Sequence, residues 1–84
     1  MVNIYLFIEL LRAASAADTA DQIKSLSLAN CKFANVVVLS FDKLVAQLDC
    51  SSPEDGTKAV LEELSKVEGV VQTNVIAVVK PVQH

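Results

Sequence analysis

Two cysteines, one histidine and ten carboxylates are the side chains of this 84-residue sequence best suited to nucleophilic, acid–base or metal chemistry. The histidine is the last residue, His84, at a terminus where side chains are ordinarily solvated. No Ser-His or Cys-His pairing falls within an expected element, and there is no Gly-rich phosphate loop and no HExxH motif. A zinc site takes at least three protein ligands, and Cys31 and Cys50 alone do not supply them. Glu54-Asp55 and Glu62-Glu63 are adjacent in sequence, so on a helix the members of each pair point in different directions. They read as a complement to a helix N-terminus and as a solvated face. The chain is therefore expected to be no enzyme, with no metal and no cofactor.

Three groups keep a chemical role open. Cys31 and Cys50 flank a hairpin whose pairing sets them opposite each other, either as two small apolar side chains or as a cross-strand redox pair. Asp42 lies in the turn of that hairpin, where Asp caps its own turn or offers a carboxylate to a ligand. Gln72, Thr73 and Asn74 open the last apolar strand. They serve either as polar strand-end residues or as the few hydrogen-bonding groups of a small-molecule site in apolar surroundings.

The bulk properties narrow the partners. The chain is 52% hydrophobic, with a mean hydropathy of +0.44 and a pI near 4.9. A single small domain has much surface for its volume, so this apolar content points to burial against another subunit. Net charge is −3 and the seven Lys and Arg residues are scattered, which leaves no basic stripe for nucleic acid. No apolar run reaches the roughly 18–20 residues of a membrane span. The segment MVNIYLFIELLR has neither a basic start nor a small-residue cleavage site, so a cytoplasmic location is expected.

The elements that would position these groups are legible from pattern. Residues 2–11 alternate as a strand that is apolar on both sides. Ser15 followed by Asp18 starts a helix, with Ala16, Ala20, Ile23 and Leu26 as its stripe. Residues 31–39 and 43–50 form a hairpin. The register that keeps apolar residues together sets Cys31 opposite Cys50, Phe33 opposite Leu48 and Val37 opposite Leu44. Ser52, Pro53 and Asp55 open a second helix, with Val60, Leu61, Leu64 and Val67 as its buried stripe and Gly69 as its stop. A last strand comes next, ended by Pro81. Strict alternation places Thr73, Val75, Ala77 and Val79 on one side and Asn74, Ile76 and Val78 on the other.

The order β-α-β-β-α-β over one domain, residues 1–84, is the ferredoxin-like arrangement. It implies an α+β fold, a four-stranded antiparallel sheet with two helices on one face. Nothing in the chain remains to cover the other face. A dimeric αβ sandwich or barrel is the expected remedy, with Tyr5, Phe7, Ile76 and Val78 at the interface.

This order, together with "VVVLSFDKLVAQLD" (36–49) and "LSKVEGVVQTNVIAVVKP" (64–81), resembles the effector-binding (RAM) domain of the Lrp/AsnC regulators in its stand-alone form, without the helix-turn-helix. Phe41 and Asp42 match the aromatic and acid of the family's hairpin turn, and Gly69, Val70 and Thr73 match its last strand. Leu39 stands where the family has a turn glycine. The resemblance implies a homodimer or higher homo-oligomer that binds an amino acid or similar effector near subunit interfaces. It assigns Phe41, Asp42 and Thr73 to that neighbourhood, and Asn74 adjoins them. It also implies a possible link to a related regulator protein. Two other readings share the topology. A peptide-binding chaperone of the periplasmic nitrate reductase maturation type is similar in size and in its "VEGV" step. A small dimeric αβ-barrel enzyme would have to use Asn3, Tyr5 or Asn74.

Overall fold

The computed structural model describes residues 1–80, so the expectations placed on Pro81 and His84 lie outside the described residues. Its elements are strand β1 (Val2–Leu10), helix α1 (Ala16–Lys24), strands β2 (Cys31–Ser40) and β3 (Lys43–Cys50), helix α2 (Pro53–Glu62) and strand β4 (Val70–Val79). A single 3₁₀ turn, Leu64–Lys66, comes after α2. The strands form one antiparallel sheet in the order β2-β3-β1-β4. The fold is α+β with β1 and β3 inside the sheet. Among the described residues, no helix is long and apolar enough to cross a membrane.

Period-2 patterning makes the inner strands. In β1, Val2, Ile4, Leu6, Ile8 and Leu10 are buried while Asn3, Tyr5, Phe7 and Glu9 are only half-buried. β3 repeats the pattern with Leu44, Ala46, Leu48 and Cys50 inside. Successive side chains point to opposite faces, so one face of both strands joins a single core. Ala20 and Ile23 of α1, Ala59 of α2 and Leu64 complete that core.

Local chemistry starts and stops the helices. The Ser15 hydroxyl accepts a hydrogen bond from the Asp18 N–H at 3.3 Å, and the Ser52 hydroxyl accepts one from the Asp55 N–H at 3.2 Å. Each satisfies an N–H that the helix itself leaves open. Thr19, which the apolar stripe did not include, is buried on α1 and donates its hydroxyl to the Ser15 carbonyl at 2.8 Å. Gly56 lets α2 lie close on the sheet, because a Cβ there would collide with Ile4 Cδ1. The close approach offsets the roughly 1 kcal/mol that glycine costs inside a helix. Gly69 sits at φ +95°, where a Cβ would lie 2.9 Å from that of Ala14.

Three expectations are corrected. α2 ends at Glu62, and the 3₁₀ turn carries Leu64 into the core while leaving Leu61 67% exposed. The α2 residues that are buried are Gly56 and Ala59. The hairpin begins in the expected register, with Cys31 opposite Cys50 and Phe33 opposite Leu48, but a bulge at Ala34 then shifts it by one residue. Val37 consequently faces Val45, and Val36, opposite Ala46, takes the buried place. In β4 the pairing skips Ile76, so that Leu6 faces Val75 and Tyr5 faces Ala77. Strict alternation therefore fails. Thr73, Val75 and Val78 share the helix side, and Asn74, Ala77 and Val79 share the open side, because an extra residue inverts the parity of the residues beyond it.

Candidate functional site

The uncovered sheet face is set by those pairings. β1 contributes Tyr5 and Phe7, β3 contributes Val45, β2 contributes Val37, and β4 contributes Ala77 and Val79. These six form a diagonal band from Val37 through Val45, Phe7 and Tyr5 to Ala77 and Val79, with Lys32, Asn35, Gln47, Asp49 and Asn3 on one side of it and Ser40, Lys43, Glu9, Gln72 and Asn74 on the other. Cross-strand neighbours there carry opposite charges, Glu9 beside Lys43 and Lys32 beside Asp49. The face is an apolar band that reaches both edges of the sheet between two polar flanks. Val37 and Val45 escaped sequence reasoning because only the bulge at Ala34 brings them together.

The structure also separates the expected interface residues. Tyr5 and Phe7 lie on the open face, Val78 lies opposite Ile4 on the helix side, and Ile76 is the bulged residue.

The expected effector residues fall into two groups at one end of the sheet. In the β2–β3 turn the Asp42 carboxylate accepts hydrogen bonds from Lys43 Nζ at 3.2 Å and Ser40 Oγ at 3.0 Å. The Leu10 N–H donates to the Asp42 carbonyl at 2.8 Å, tying the turn to β1. Phe41 is 61% exposed, and the Arg12 guanidinium stands over its ring, 5.8 Å from the centroid. On β4, Asn74 is opposite Phe7 and accepts a hydrogen bond from Gln72 Nε2 at 3.1 Å. Thr73 is opposite Ile8 on the helix side, and its buried Oγ1 has no hydrogen-bond partner among the described residues. Within one chain β1 lies between β3 and β4, so the turn joining β2 and β3 is two to three strand spacings, about 10–14 Å, from β4. The four residues do not converge in the single chain.

Hydrogen bonding to Lys43 holds the Asp42 carboxyl below the ordinary carboxylate range, against a smaller upward push from desolvation; Ser40 adds to the lowering. A depressed pKa means that folding favours the ionised form. That stabilisation is present above the unfolded value and is lost as pH falls through the folded one. Asp42→Asn is expected to lower the thermal midpoint at pH 7, and the deficit should shrink at about pH 3, below the ordinary Asp value. Thermal unfolding of both proteins at the two pH values checks this. A deficit of equal size at both would show that the charge contributes nothing.

Two further features bear on chemistry. Cys31 and Cys50 are joined as a disulfide, with Cα atoms 4.1 Å apart, so the sequence alternative of two unlinked thiols is replaced. Cys50 Sγ packs within 3.6 Å of where a Cβ on Gly56 would lie, and Cys50 is fully buried. Among the described residues, no three His, Cys, Asp or Glu side chains are grouped so as to hold a metal ion. A cleft of about 300 Å³ lies beside Ser15, Asp18 and Gly69, and one of about 170 Å³ lies between Leu61, Ser65 and Thr73. Neither is lined by Phe41, Asp42 or Asn74. No family model, no curated protein and no solved structure matches the chain.

Proposed function

We propose that this chain is a non-enzymatic, effector-sensing oligomerisation module of the Lrp/AsnC type, with a ferredoxin-like fold that works as a face-to-face dimer. The observation that supports this reading is the open sheet face. It carries an apolar band between polar flanks, and no element among the described residues covers it. Sheets that stack face to face keep their strands nearly aligned. A two-fold axis running along the strands between β1 and β3 lays β1 of one copy over β3 of the other, and β4 over β2. Glu9 then meets Lys43 of the other copy, and Phe7 meets Val45. Asn74 of one copy also comes to the sheet end that carries Phe41 and Asp42 of the other. A site that one chain leaves divided is thereby assembled between two, with Thr73 facing away from it.

The chemistry offered there suits an amino acid. Asp42 offers a carboxylate to an ammonium group, Asn74 adds an amide, and Phe41 adds an apolar surface. Such an effector shifts assembly only through its differential affinity for the assembled form.

A thermal-shift screen against the twenty amino acids tests the reading. A ligand at a hundred times its dissociation constant adds about 2.7 kcal/mol, a rise of many degrees for a domain of this size. A selective rise for one or a few amino acids is expected. Asp42→Ala should abolish that rise while costing less stability than the ligand confers. Equal loss of both, or no rise with any amino acid, overturns the effector site.

A further inference from the structure

The two sulfurs of the disulfide differ in what surrounds them. Cys31 and Cys50 are directly opposed on neighbouring strands, so the bond between them runs broadly across the sheet. On the far side of Cys50 the next strand, β1, sets the buried Val2 opposite it. Helix α2 lies over it, with Cys50 Sγ 3.6 Å from where a Cβ on Gly56 would stand. Cys50 has no exposed surface. Cys31 lies on β2, the edge of the sheet, with no strand on its far side, and it is only half-buried.

A thiolate opens a disulfide by attacking one sulfur in line with the bond, from the side away from the sulfur that leaves. We infer that this bridge is a site of thiol–disulfide exchange at which an external dithiol attacks Cys31 Sγ and Cys50 is the leaving sulfur. The path to Cys31 Sγ comes in from the free edge of the sheet, whereas the path to Cys50 Sγ is filled by β1 and α2. One thiolate of the dithiol bonds to Cys31 Sγ as the bond to Cys50 breaks. Cys50 leaves with the electron pair and takes up a proton. The second thiolate then attacks the reductant's own sulfur in the mixed disulfide and releases Cys31, which is protonated in turn. The dithiol ends as a disulfide, and its two protons and two electrons are carried by the two cysteine thiols. A buried sulfur leaves less readily than a solvated one, which slows the exchange without redirecting it.

The register shift at Ala34 limits what the exchange releases. Ahead of it only Cys31, Lys32 and Phe33 pair with β3, while beyond it Val36, buried opposite Ala46, fastens the strand. With the bridge open, residues 28–33 keep only those short pairings and the bond from the Ser51 N–H to the Asn30 carbonyl. Reduction thus loosens this segment and leaves the rest of β2 in the sheet.

The attacked sulfur is identified on the native chain with excess glutathione, by acid quenching and mass spectrometry of peptides. The mixed disulfide is expected on Cys31. An adduct mainly on Cys50, equal amounts on both, or none on either overturns the inference. In the single-thiol variants, Cys31 of Cys50→Ala should react with an aromatic disulfide at least about a hundredfold faster than Cys50 of Cys31→Ala, which is reached only by local unfolding. In the chain reduced with a dithiol, amide hydrogen exchange should quicken about tenfold or more over residues 28–33 and change less than about twofold over residues 36–40. Quickening that continues through residues 36–40, or none over 28–33, overturns the local release. The bridge shares no residue with the effector neighbourhood, so either result leaves that reading to its own test.

Discussion

Removing the disulfide by Cys31→Ser with Cys50→Ala is expected to cost about 2–4 kcal/mol. The bridge spans a sequence separation of 19 residues, and closing a loop of about 15 residues is worth about 3 kcal/mol through the unfolded chain. It links directly opposed residues at the open end of the β2–β3 hairpin. There it holds the edge strand β2 to β3, where Cys50 packs under α2 through Gly56. Small domains have only about 5–15 kcal/mol in total, so this is a large share. The midpoint of thermal unfolding should fall by on the order of 10–20 °C. Reduction of the native chain with a thiol should produce a similar fall. An unchanged midpoint in the double variant would show that the hairpin and core hold this end without the bridge. Disulfides persist in oxidising compartments and are rare in the reducing cytosol, so the bridge weighs against the cytoplasmic location expected from the N-terminal segment.

Leu6→Ala should be the most damaging single truncation, at about 3–5 kcal/mol. Leu6 is fully buried in the central strand, between Ala46 on β3 and Val75 on β4. Its removal loses the transfer free energy and leaves a cavity that the flanking strands cannot close. The adjacent Phe7 points the other way and is only half-buried in the single chain. Phe7→Ala should therefore cost an isolated chain well under half as much, despite deleting more atoms. Urea unfolding at low and high protein concentration separates the two. Leu6→Ala should shift the midpoint equally at both concentrations. Phe7→Ala should shift it more at high concentration, where a face-to-face dimer buries the ring. A Phe7→Ala cost that is small and independent of concentration would remove the open face from the proposed assembly.

Much of the fold is legible along the sequence because its causes are local. Alternation in VNIYLFIEL and KLVAQLDC decides which side of β1 and β3 is buried, since a strand has a side-chain period of two. Ser15 and Ser52 mark the helix starts through hydrogen bonds that reach only three residues. Gly69 marks the entry to β4 through a positive φ that other residues adopt only with strain. The opposition of Cys31 and Cys50 is also legible from pattern, because they lie at the end of the hairpin that the bulges leave in register.

Only the tertiary structure decided the parity of the edge strands and the state of the cysteines. Register shifts at Ala34 and Leu39 in β2 and at Val71 and Ile76 in β4 set that parity, and no residue type in either strand announces them. One skipped residue exchanges Val37 for Val36 in the core and turns Val78 from the open face to the helix side. The strand order, which sets β1 between β3 and β4, divides Thr73 and Asn74 from the turn that carries Phe41 and Asp42. Local periodicity reports which residues alternate. The register against a neighbouring strand, a long-range property, decides which face each one reaches.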